Sequence, residues 1–66
     1  MSKSFEIIER VGISKVSSNE AIKSAVKEAN EESKVGWFEV LEERGRVTQE
    51  GEIEFQVTVK IGRKLD

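Results

Sequence analysis

Ile53-Glu54-Phe55-Gln56-Val57-Thr58-Val59-Lys60-Ile61 sets an apolar residue at every second position and a polar or charged one between. Successive side chains of a strand point to opposite faces, so this run reads as a β-strand with one buried face and one polar face. Just before it, Thr48-Gln49-Glu50-Gly51 reads as a tight reversal, because Gly51 accepts the positive φ that such turns often need. A second strand precedes the turn, from Trp37 to about Val47, with Gly36 ending the linker in front of it. The C-terminal half is therefore a β-hairpin.

Alternation in the second strand assigns Phe38 and Val40 to one face and Trp37, Glu39 and Leu41 to the other. Phe38 and Val40 suit the interior. The single tryptophan is thereby held away from the core, among carboxylates. An indole so placed is either a subunit-interface anchor or a surface on which a planar ligand stacks. For the residue alone, the anchor is the commoner case.

Residues 5–11 read as a first strand, with Phe5, Ile7 and Val11 on one face, Glu9 interrupting it, and Gly12 with the Ser-rich stretch closing it. Ser17 and Glu20 are spaced for a capping box that satisfies free backbone N–H groups at a helix start. Ala21, Ile22, Ala25, Val26 and Ala29 then recur at helical spacing, with Lys23, Lys27, Glu28, Asn30 and Glu31 on the opposite side. Three of those apolar residues are alanines, which lets the helix lie close against a sheet. The order strand, helix, strand, strand defines an α+β subunit. With the first strand beside the last, the three-stranded sheet is antiparallel in order 1-3-2 and packs on one helix. Its other face, carrying Trp37, Leu41 and Gln56, is left bare.

The chain has 66 residues, which makes residues 1–66 a single domain that buries only about 60% of the surface its unfolded form exposes. Disulfides are impossible without cysteine, and without Cys or His a zinc site would have to be built from carboxylates alone. Self-association is the remaining common way to bury more surface. The lack of His, Cys and Tyr removes the usual general base, thiolate nucleophile and phenolic donor, so an enzyme is disfavoured. A net charge of −2 with 36% charged residues of both signs argues against a nucleic-acid partner. No run is long enough for a signal peptide or a membrane span, so the expected location is cytoplasmic with no membrane partner. Glu50, Glu52 and Glu54 alternate along a hairpin, which is the pattern of solvated acids and lacks the spaced loop of a Ca²⁺ or Mg²⁺ site.

Trp37-Phe38-Glu39-Val40 with Glu42, Arg44 and Gly45, followed by Gln56-Val57-Thr58-Val59-Lys60-Ile61-Gly62, resembles the dodecins across essentially the whole chain. The early Val11-Gly12-Ile13-Ser14 looks like the family's Val-Gly-Thr-Ser turn. The resemblance implies a homo-oligomer, a hollow dodecamer, that stores or sequesters a flavin, riboflavin or FMN, with a photoprotective effect. It implies that Trp37 stacks on the isoalloxazine, paired flavins lying between the indoles of two subunits, and that Gln56 hydrogen-bonds the ring edge. Glu42 matches an acidic position near the ribityl chain, and Arg44 a basic position that in some members approaches the ligand phosphate. Lys64 stands where phosphate-binding members often have Arg. Arg63 replaces a usual Phe and admits two readings, a salt bridge between subunits or an added phosphate contact favouring FMN or coenzyme A. The alternative function is an oligomeric structural or interaction module in which Trp37 only anchors an interface, or which binds coenzyme A.

Overall fold

Val57, Val59 and Ile61 of the alternating strand are fully buried, and the rest of the chain is arranged to cover them. The computed structural model describes residues 4–65. It contains β1 (Phe5–Ser14), α1 (Ser18–Glu32), β2 (Val35–Val47) and β3 (Ile53–Lys64). The strands form one antiparallel sheet in the order β1-β3-β2, as the sequence pattern predicts. α1 covers one face with the stripe Ala21, Ala25 and Ala29, which closes on the three aliphatic residues of β3. Each of those aliphatic side chains contributes about 1.5–3 kcal/mol by leaving water. The approach is close enough that a Cβ at Gly12 would run into the carbonyl oxygen of Ala21.

Capping fixes both ends of the helix. Ser17 is the N-cap, its Oγ accepting from the Glu20 N–H at 3.1 Å. The reciprocal half of the expected box gives way to a pair between the Glu20 carboxylate and Lys23 at 3.6 Å. At the other end, Asn30 Oδ1 accepts from the Val35 N–H at 2.9 Å and Ser33 Oγ donates to the Lys64 carbonyl at 2.7 Å. Asn30, placed by periodicity on the solvated side, thus holds the start of β2. The hairpin reversal has Gly51 at φ +84°, its N–H donating to the Thr48 carbonyl at 2.9 Å.

Three expectations about strand faces and ends change. β1 continues to Ser14 rather than stopping near residue 11, because Gly12, Ile13 and Ser14 find partners in Val57, Gln56 and Phe55. Phe5, Ile7 and Val11 do share a face, and Ile13 joins them on it. Directly paired residues share a face, and these pair with Lys64, Gly62, Thr58 and Gln56, so the face is the one turned away from α1. All four are at least half exposed. Phe38 and Val40 pair with buried Ile61 and Val59, yet Phe38 is 49% exposed, since α1 lies mainly over β1 and β3. Ile53 is also exposed, because the hairpin outruns the helix: the molecule is 53 Å long, whereas fifteen helical residues span about 22 Å.

Candidate functional site

Two irregularities in β2 determine what the uncovered sheet face presents. Its pairing with β3 slips between Val35 and Trp37 and again between Val40 and Glu42, leaving Gly36 and Leu41 as extra residues. A bulge of this kind shifts the phase of every residue beyond it. Strict alternation from Trp37 would turn Glu42 and Arg44 toward the helix side. The slip at Leu41 instead pairs them with Thr58 and Gln56, on the same face as Trp37. Leu41 itself has no direct partner and is exposed.

Trp37 pairs with Gly62, and its indole lies across that glycine; a Cβ at position 62 would penetrate the ring. The side chain is 40% exposed, on the face opposite α1. Beside it Lys60 Nζ approaches Glu39 at 3.6 Å. Lys64 is exposed on the same face, opposite Phe5.

Farther along β3 lies a chain of four polar side chains. Arg44 Nε donates to Gln56 Oε1 at 3.1 Å, Gln56 Nε2 donates to Glu54 Oε1 at 3.0 Å, and Arg46 Nε donates to the same oxygen at 2.8 Å. The Arg46 guanidinium, then the Gln56 amide, hold the Glu54 carboxyl below its ordinary range. Glu42 lies between the two groups, exposed and opposite Thr58. Glu52 is engaged by Lys15 at 2.9 Å and Glu54 by Arg46, so two of the three alternating hairpin acids are in ion pairs.

The fold therefore brings Trp37 and Lys64 together at one end of the face, and Gln56 and Arg44 at the other. Gly62 lies six positions beyond Gln56 on β3, about 20 Å of extended chain. The two groups therefore mark opposite ends of the uncovered face.

Arg63 is engaged within its own protomer. It lies on the helix side, 11% exposed, with Nη2 on Glu6 at 2.6 Å and Nη1 on Glu32 at 2.9 Å. Arg10 shares Glu32 at 2.6 Å and reaches Glu28 at 3.6 Å. Both Arg63 contacts are thus made inside its own subunit. Sequence reading missed Ile13 as a member of the uncovered face, and Glu54 and Arg46 as members of its polar network. Ile13 was legible as the continuation of the Phe5, Ile7, Val11 alternation; the other two needed the hairpin register.

These features define a small β-α-β-β protein with one sheet face under a helix and the other presenting an indole, apolar side chains and a polar chain. The dodecin family model matches residues 5–66. A dodecin of Thermus thermophilus is 34% identical over 67 residues, covering 100% of this chain and 97% of the relative. A crystal structure of a Thermus thermophilus protein superposes with TM-score 0.86 at 33% identity, over 98% of this chain and 97% of that one. The dodecin from Streptomyces davaonensis gives 0.87 at 30% identity, over 100% and 98%. The chain belongs to the dodecin family, a family of small binding proteins rather than enzymes. Among the described residues, no helix is long and apolar enough to cross a membrane.

Proposed function

We propose that this protein stores and sequesters a flavin, riboflavin or FMN, which stacks between Trp37 of two symmetry-related subunits of a hollow homododecamer. The observation that carries this reading is the indole of Trp37 lying flat over Gly62 on the sheet face that α1 leaves uncovered. An indole offers a broad π-surface to an electron-poor isoalloxazine, and an amide such as Gln56 offers the donor and acceptor that a pyrimidine edge requires. Since Trp37 and Gln56 are far apart in one protomer, a neighbouring copy supplies one of them. In this reading Glu42 faces the ribityl chain, while Arg44 and Lys64 are the cations available to a phosphate, of FMN or of coenzyme A. Stacking beside an indole quenches the excited flavin, which suits storage and photoprotection and not turnover. The working location is the cytoplasm.

Titrating riboflavin and FMN while following flavin emission tests this. The intact protein should quench, and Trp37→Ala should bind about 10–100-fold more weakly, the usual cost of losing one aromatic stacking partner. Quenching unchanged in the variant would overturn the proposal. A second reading, an interaction module in which Trp37 only joins subunits, is favoured by the exposed apolar row Phe5, Ile7, Val11 and Ile13 on the same face. Light scattering on Trp37→Ala separates the two: the particle mass survives if the indole is a ligand platform and falls if it is an anchor.

A further inference from the structure

We propose that Glu54, braced by Arg46, is a positioning residue that fixes the polarity of the Gln56 amide, so that the site selects planar ligands presenting an N–H beside a C=O. An isolated glutamine amide turns over freely, and its oxygen and nitrogen exchange places at little cost. Here each neighbour accepts only one arrangement. Arg44 Nε can only donate, so the atom facing it is Oε1; an ionised Glu54 carboxylate can only accept, so the atom facing it is Nε2. The flipped amide would set donor against donor and acceptor against acceptor at both contacts. On its remaining flank Gln56 pairs with Ile13 of β1, whose apolar side chain offers no competing partner.

The amide that results keeps one lone pair on Oε1 and one N–H on Nε2. Side by side, these complement an imide or lactam edge. Glu54 is the more dependable of the two locks, for it is 13% exposed and held by Arg46 at 2.8 Å. Arg44 is exposed, and in the flavin reading a ligand phosphate draws on the same guanidinium. The ligand half of this inference rests on that reading, while the positioning half rests on the network alone.

The test compares riboflavin with its N3-methyl analogue, which keeps the ring and removes the edge N–H, by emission quenching in the wild-type assembly, Glu54→Gln and Arg46→Gln. Wild type should prefer riboflavin by about tenfold or more, the usual effect of leaving a built polar site unpaired. Glu54→Gln, nearly isosteric and able to donate or accept, should cut that preference to about two- to threefold, with Arg46→Gln between them. Circular dichroism and particle mass confirm that each variant is folded and assembled. A second measurement needs no ligand: the Gln56 side-chain NH₂ signals in ¹⁵N NMR should be shifted and protected from solvent exchange in wild type and move toward those of a free glutamine in Glu54→Gln. An unchanged riboflavin preference in a variant that still quenches overturns the selection, and unchanged NH₂ signals overturn the positioning. Absence of quenching in wild type overturns the flavin reading and the selection together, and the NMR result then decides the positioning by itself.

Discussion

Gly62 shows how much a missing side chain can specify. With no Cβ in the way, the Trp37 ring settles flat onto β3, and Gly62→Ala should lift it. That variant should keep its circular dichroism spectrum while the tryptophan emission moves and flavin quenching weakens. Gly12→Ala is a different case, because its methyl would meet the backbone of Ala21, which cannot rotate aside. Overpacking of this kind costs about 1–3 kcal/mol, and a lowered urea midpoint would register it. The outward placement of Trp37 was legible, since two-residue alternation alone separates it from Phe38. The role of Arg63 was not: Glu6 and Glu32 lie 57 and 31 positions away in the chain, and only the folded register brings them to one guanidinium.

At the scale of the elements, β3 and α1 could be read directly because their apolar periods are unbroken. The existence and pairing of β2 could be read too, but not its register, because nothing in Val40-Leu41-Glu42 announces the slipped residue that turns Glu42 and Arg44 over. Alternation therefore holds from Trp37 to Val40 and cannot be carried past Leu41. The ionic cluster that ties α1 to β1 and β3 has its own consequence. Glu32 accepts hydrogen bonds from Arg10 and Arg63, which hold its carboxyl below the ordinary range. A carboxyl whose pKa is lower folded than unfolded stabilises the fold above its unfolded value, about 4.3, and loses that contribution as pH falls through the folded value. Glu54 is shifted in the same direction by Arg46 and Gln56. Stability from these groups should therefore be flat from neutral pH to about 5 and decline below about 4.3. Urea midpoints across that range should show a shallower decline in Glu32→Gln than in wild type.

For the whole molecule, the thin core and the bare face both point to assembly, and the sequence alone conveyed that much. Among the described residues, the six buried core side chains include three alanines, which is little apolar volume to hold a sheet of long strands. What the sequence did not convey is how apolar the uncovered face is, since the row from Phe5 to Ile13 acquires its direction only through pairing with β3. The double variant Ile7→Lys with Val11→Lys should reduce the native mass measured by light scattering toward that of a single chain. A wild-type mass of one chain at all concentrations would falsify the assembly. Such a variant should also lose flavin quenching even though Trp37, Gln56 and Arg44 are untouched.

On the flavin reading, the distance between the indole end and the amide end of the face sets a rule for loading and release. If neither end suffices alone, retention of the guest depends on the company each chain keeps. Dilution then empties the particle by taking apart its walls. A guest that bridges two chains in turn raises their melting temperature and slows their exchange between particles, as any ligand of the associated state must.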